Sequence, residues 1–251
     1  DLNGDGMDEI IVFAKGASEK PLQVLIFTQD EDGHVRTMET IGSNGLAFEQ
    51  VEYVDFDDRP GLELVVGIQV GEQVQRSVAV YTFRNNDAEL MLLNGYSRFI
   101  TCDLDEDGQS ELMVFRQGEM EMQRAMAVLY QTSNGQIERS VELSLSGDAS
   151  DIRRIMQGRL QNGASAVYVA SALNTNSMVT DVLTLKEDTF VNLTFTGEIN
   201  TSIPTLRNFY VYSEDIDGDG VVEIPSTVTM KPLSAWQTAE HRQFLRWYSL
   251  D

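Results

Sequence analysis

Cysteine occurs once in 251 residues and histidine twice, which excludes an internal disulfide, a thiolate metal cluster and a histidine-rich metal site. Basic residues are also scarce: 18 Lys and Arg stand against 40 Asp and Glu, for a net charge of −22. Such a surface repels phosphate backbones and anionic lipid, so neither nucleic acid nor a membrane surface is an expected partner. Long apolar runs are missing too. The longest, AMAVLY at 125–130, has six residues, far short of the roughly 20 that span a bilayer. Helical periodicity is nearly absent: only 237–248 passes for a helix, and Phe244 to Tyr248 fits a strand equally well. The chain is nonetheless 42% hydrophobic and 23% charged, which is ordinary globular usage and excludes wholesale disorder.

What the chain does have is a repeat. Five segments join one apolar run to another through a nine-residue loop: DLNGDGMDE from Asp1, DFDDRPGLE from Asp55, DLDEDGQSE from Asp103, GRLQNGASA from Gly158 and DIDGDGVVE from Asp215. Intervals of about fifty residues suit a unit of four short strands with their turns. Strand-like runs precede the loops at Val51–Val54, Arg98–Thr101 and Asn208–Val211, and in the first four units two further runs follow the one after the loop. Turn signals separate those later runs at Asp32-Gly33, Arg84 to Asp87, Asn134-Gly135 and Lys186 to Asp188. The run just after each loop (IIVF, LVVG, LMVF, VYVA) is apolar on both faces, as a strand sandwiched between sheets should be. The expected fold is all-β: a single β-propeller domain over 1–251, about five four-stranded blades, with the first and last incomplete. The first blade lacks the strand before its loop and the fifth stops after its third strand. The chain also opens inside a motif, so the natural polypeptide is expected to continue in both directions.

Three of the five loops follow D-x-D/N-x-D-G-x-x-E. Oxygens at positions 1, 3 and 5 converge only if the backbone curls tightly, and glycine at position 6 permits the curl. Oxygen-only ligands, a backbone carbonyl at position 7 and an acid at position 9 suit calcium; magnesium, stricter in geometry, is the lesser candidate. The expected sites are Asp1, Asn3, Asp5, Glu9 and the carbonyl of Met7; Asp103, Asp105, Asp107, Glu111 and the carbonyl of Gln109; and Asp215, Asp217, Asp219, Glu223 and the carbonyl of Val221. Up to three structural calcium ions follow. These windows hold thirteen of the forty acidic residues, a density that is strongly repulsive without a cation. The bland reading of each window is a solvated acidic turn. An EF-hand needs an acid at position 12 and a following helix, whereas Val12, Val114 and Ser226 stand there in strand-like runs. In the second copy Arg59 and Pro60 replace positions 5 and 6; no calcium is expected, with the Arg59 guanidinium standing in between Asp55 and Asp57. The fourth copy offers no carboxylate and should be an ordinary turn.

These loops resemble the integrin-type FG-GAP propeller repeat and its bacterial VCBS-like relatives, and the chain is also similar to secreted bacterial lipoproteins that carry such repeats. The resemblance implies a calcium-stabilised extracellular propeller at a bacterial cell surface, used for binding or adhesion of a protein or carbohydrate ligand, with a lipid anchor upstream. It supplies no catalytic residues. It also implies that the rim opposite the loops is built from Val70–Ser77, Gln117–Arg124, Ser171–Thr180 and Lys231–Glu240, where Trp236 is either a ligand platform or, like Trp247, packing in an incomplete blade. The expected function is a non-enzymatic binding or scaffolding module. The alternative is a polysaccharide-acting glycosidase or lyase, with Asp181 and Glu198 as loose candidates. His34 and His241 read as surface residues and Cys102 as buried packing; Asn192-Leu193-Thr194 and Asn200-Thr201-Ser202 match the glycosylation triplet, which carries no meaning if the source is bacterial.

Overall fold

A computed structural model describes residues 1–17, 19–30, 32–71, 75–118, 124–195, 205–208, 210–230 and 242–251. Among them the regular structure is strand throughout, apart from one 3₁₀ turn at Ala149–Asp151. The first sheet has three strands, β1 (Ile10–Lys15), β2 (Leu22–Gln29) and β3 (Val35–Ser43). The second has four, β4 (Ala47–Val54), β5 (Glu63–Gln69), β6 (Arg76–Arg84) and β7 (Asp87–Gly95). The third comprises β8 (Arg98–Cys102), β9 (Glu111–Gln117), β10 (Ala125–Ser133) and β11 (Gln136–Ser144). The fourth comprises β12 (Ile152–Arg159), β13 (Ser165–Asn174), β14 (Ser177–Lys186) and β15 (Thr189–Asn192). The fifth pairs β16 (Ile224–Met230) with β17 (Arg242–Tyr248). Within each sheet the strands pair in chain order, the pattern expected of short hairpin connections.

The hairpins have the turn chemistry their residues dictate. Asn85 and Asn86 (φ 52° and 68°), Asn134 and Gly135 (53° and 72°), and Glu187 and Asp188 (50° and 60°) are all left-handed pairs. Two consecutive positive φ values match the right-handed twist of the flanking strands. Inner strands are apolar on both faces where sheets cover both: β5, β9 and β13 are buried nearly throughout.

The residues group into two compact units, 1–103 with 107–114 and 129–140, and 104–106 with 115–128 and 141–251. In the first, Leu2, Leu22, Val24, Ile26, Leu64, Val66, Ile68 and Phe83 form a cluster between the first and second sheets. In the second, Leu160, Ala166, Tyr168, Val182, Val222 and Ile224 form the cluster joining the fourth and fifth. Each cluster is the dry face of antiparallel strands whose side chains alternate.

Three expectations change at the level of elements, and one ambiguity is resolved. The IIVF run of β1 is not covered on both faces: Ile10 and Val12 are 53% and 41% exposed, because only the Ile11 and Phe13 face meets the core cluster. Before the fifth loop, the described part of 208–211 forms no strand, and only a single bridge joins Glu214 to Glu223. The strand expected over 189–195 ends at Asn192, since the Thr194 hydroxyl accepts from Val182 N and donates to Thr180 O, taking over the ladder with a side chain. Residues 242–248, ambiguous in sequence, are strand β17.

Candidate metal centres

The first and fifth loops share one hydrogen-bond scheme. The position-1 carboxylate accepts from the N–H groups of positions 4 and 6: Asp1 from Gly4 and Gly6 at 2.7 and 2.8 Å, and Asp215 from Gly218 and Gly220 at 2.7 and 2.9 Å. The position-3 oxygen accepts from position 5, Asn3 from Asp5 N at 3.0 Å and Asp217 from Asp219 N at 3.2 Å. The position-5 carboxylate accepts from position 7, Asp5 from Met7 N and Asp219 from Val221 N, both at 2.8 Å. Finally, the position-9 glutamate reaches back to the N–H of position 2, Glu9 to Leu2 at 2.6 Å and Glu223 to Ile216 at 3.0 Å. In the third loop, Asp103 accepts from Gly108 N at 3.1 Å and Asp107 from Gln109 N at 2.7 Å. Each carboxylate spends one edge on the backbone, which fixes where its remaining lone pairs point.

Side-chain oxygens of Asp103, Asp105 and Glu111 lie within 4.8 Å of one another, as do those of Asp215, Asp217 and Glu223. These groups, and a third at Asp55, Asp57 and Glu63, could hold a metal ion. The first loop forms no three-carboxylate group, since its position 3 is an amide whose Nδ2 donates to Asp5 and, from outside the loop, to Asn86. There the fit to a cation rests on Glu9, whose Oε1 is buried with no hydrogen-bond partner. An unsatisfied buried carboxylate oxygen is costly unless a cation meets it. The donor set is oxygen only, which suits a hard cation. The structure brings together Asp103, Asp105 and Glu111, and Asp215, Asp217 and Glu223; it does not bring Asp107 or Asp219 into those groups. Met7, Gln109 and Val221 are positioned through the N–H bonds given above.

The sequence reading took the curl to depend on position 6 and overlooked position 4. Position 4 is left-handed in all four acidic loops: Gly4, Asp58, Glu106 and Gly218 have φ of 75°, 57°, 63° and 80°. Glycine at two of these was the available signal. Position 2 was overlooked as well: Leu2, Phe56 and Leu104 are at most 3% exposed and plug the loops into the core, although Ile216 is 50% exposed. Neighbouring loops are also stitched by backbone, with Leu62 N donating to Asp1 O (2.9 Å), Ser110 N to Asp55 O (2.7 Å) and Val222 N to Arg159 O (3.0 Å). The close approach of Gly4 to Pro60 O and of Gly61 to Leu2 O leaves no room for a Cβ at either glycine.

In the second loop, Arg59 Nε lies 3.3 Å from Oδ2 of Asp57, a side chain only 2% exposed. The guanidinium faces Asp57 and not both aspartates, because Asp55 Oδ1 already accepts from Asp57 N and Asp58 N at 3.1 Å. Glu63 is held by Phe56 N and the Thr82 hydroxyl, and burial pushes its carboxyl above the usual range. The fourth copy is a short turn at 160–164, closed by Leu160 N to Ala164 O and Gly163 N to Leu160 O.

Other candidates have plain structural fates. Asp181 is fully buried and accepts from Ser146 N (2.9 Å), Ser146 Oγ (2.8 Å) and Asn192 Nδ2 (3.0 Å). Desolvation raises its carboxyl above the ordinary value despite those bonds. It is a lock between loop 145–147 and the fourth sheet, inaccessible to a substrate. The Asn192 amide that the glycosylation triplet needs is spent on Asp181 and Ser144 O. Cys102 is buried and its thiol is pushed up to about 12 by burial, with Glu111, Asp103 and Glu52 adding to the shift, so it is packing and not a nucleophile. His34 is exposed, 3.5 Å from Asp30. Trp247 is half-buried. Trp236, His241, Glu198, Asn200 to Ser202 and Lys231–Glu240 lie outside the described residues, as do parts of Val70–Ser77 and Gln117–Arg124; Ser171–Thr180 is β13, its turn and β14. No described helix is long and apolar enough to cross a membrane.

No family model matches this chain, and no curated protein does. Among solved structures, it is similar to the rhamnogalacturonan lyase PL11 of Bacillus licheniformis (12% identity, TM-score 0.49, covering 81% of this chain and 47% of that one). It is also similar to the exotype rhamnogalacturonan lyase YesX (11%, 0.48, 81% and 46%) and the rhamnogalacturonan lyase YesW (12%, 0.47, 82% and 48%). The chain spans about half the length of these structures.

Proposed function

We propose that this chain is a calcium-stabilised β-propeller domain that serves as a non-enzymatic binding or scaffolding module outside a bacterial cell. The observation that carries the reading is the identical five-bond scheme of the loops at 1–9 and 215–223. Two stretches more than 200 residues apart in the chain bind the same side-chain oxygens to the same backbone N–H groups, and in one of them a buried glutamate oxygen has no protein partner. Calcium at Asp1–Glu9, Asp103–Glu111 and Asp215–Glu223 would neutralise the acid density of the loops and tie each to the strand after it. Extracellular calcium modules bind with Kd of about 10⁻⁴ to 10⁻³ M, which suits a structural ion outside the cell. The antiparallel sheets, with inner strands covered on both faces, support radial blades. The alternative of a polysaccharide-acting enzyme loses its described candidate, because Asp181 is sealed.

The test is a calorimetric titration of the metal-free protein with calcium and then with magnesium. Three equivalents of calcium, with magnesium weaker, support the reading; no saturable calcium binding overturns it. The second loop supplies a sharper form. Arg59→Asp with Pro60→Gly restores the acid at position 5 and the glycine at position 6, so the variant should bind four equivalents where the parent binds three. Four equivalents in the parent would show that Arg59 does not exclude the ion.

A further inference from the structure

The same arginine opens onto a cavity that the metal loops do not explain. A cavity of about 440 Å³ in the first unit is lined by Arg59, Arg84, Glu89, Asn134 and Gln136, with Leu90, Met91 and Ile137 beside them. That volume fits a small molecule, and its lining is mainly polar, with a smaller apolar share from Leu90, Met91 and Ile137. Its polar groups are mainly donors. Arg59 Nε lies 3.3 Å from Asp57 as an ion pair, and its terminal amino groups lie over the Asn134-Gly135 turn. A Cβ at Gly135 would lie 1.7 Å from the Arg59 Nη2 atom, so this hairpin accepts the guanidinium only because residue 135 is glycine. Arg84 Nη1 lies 3.5 Å from Glu89, while its Nε is buried and has no acceptor. A buried guanidinium N–H without a partner is costly, and the Arg84 side chain lines the cavity.

We propose that this cavity binds a small sugar acid, its carboxylate held between Arg59 and Arg84. Guanidiniums match a carboxylate through paired N–H donors. Asp57 and Glu89 each offset one guanidinium, so the site carries no net positive charge; it disfavours a dianion such as phosphate, and what it offers a single carboxylate is the remaining guanidinium N–H donors. The Asn134 and Gln136 amides suit hydroxyl groups, and the side chains of Leu90, Met91 and Ile137 suit the C–H face of a pyranose. The volume is also far larger than a bare carboxylate needs. The assignment deepens the binding role proposed above and rests on it, but it does not depend on the metal.

D-Glucuronate is titrated into the calcium-saturated protein by calorimetry, with glucose and inorganic phosphate as comparisons. Calcium-dependent melting is recorded separately, so failure of the metal reading and failure of this one are distinct results. Saturable glucuronate binding is expected, weakened by added salt and weakened about tenfold or more in Arg59→Gln and in Arg84→Gln. Arg98→Gln, outside the cavity, should bind as the parent does. In the unmodified protein, glucuronate should protect Arg59 and Arg84 from phenylglyoxal in peptide mapping, a readout that needs no variant to fold. Absence of saturable binding, equal binding of glucose, tighter binding of phosphate, or no protection of either arginine overturns the proposal.

Discussion

Calcium raises the melting temperature of the metal-free protein by roughly 15 °C or more at about a hundred times its Kd. One site filled to that level contributes about 2.7 kcal/mol by linkage, and for a chain of this size each kcal/mol moves Tm by about 2–4 °C. Three sites together therefore supply on the order of 8 kcal/mol, comparable with the whole stability of many domains. Differential scanning calorimetry with EDTA, calcium and magnesium measures this directly. Asp215→Ala should reduce the calcium increment by about a third, since it removes one of three such linked terms. It should also lower Tm slightly in EDTA, because Gly218 N and Gly220 N lose their acceptor. A Tm that is the same in EDTA and calcium would remove the structural role.

In the acid range, where the buried carboxyl holds its proton, Asp181→Ala lowers stability by about 3 kcal/mol, the cost of leaving its buried hydrogen-bond partners unsatisfied. Ser146 N, Ser146 Oγ and Asn192 Nδ2 all point at this carboxylate, and none gains water when it is deleted. Tm should fall by roughly 6–12 °C. The pH dependence has a definite sign. Burial raises the folded-state carboxyl above its unfolded value, so between those two values the native state binds the extra proton. The contribution of Asp181 is fully present below the unfolded value of about 3.9 and is lost as pH rises through the folded value. Asp181→Asn cannot titrate, so the stability of the parent relative to this variant should shrink as pH rises through that window. Urea unfolding of both proteins across the acid range checks it, and a difference that grows with pH would contradict the buried assignment.

The repeat was legible because its signals are local. Alternating acids, a glycine at a fixed offset and Asn-Gly turns each act through neighbouring backbone, so spacing alone located loops and hairpins. Strand β17 became ambiguous where that logic failed, since FLRWY carries no turn or period to decide it. What was hidden depends on partners far away in the chain. Arg59 lies against Asp57, while Asp55 Oδ1 accepts from two backbone N–H groups, and it finds room over Gly135, some 75 residues on. Asp181 read as a loose catalytic candidate, because only folding shows Ser146 and Asn192 enclosing it. The left-handed Asp58 and Glu106 were hidden for a different reason. They take a conformation that costs about 1–2 kcal/mol for such residues, and it is imposed by a loop scheme whose glycine signal survives only at Gly4 and Gly218.

The central account is that these loops are built around cations, and anomalous diffraction from crystals grown with calcium tests it most directly. The account predicts strong peaks enclosed by Asp1 to Glu9, Asp103 to Glu111 and Asp215 to Glu223, with none beside Asp57, where Arg59 lies. Three loops without a peak, their carboxylates turned to solvent, would contradict it.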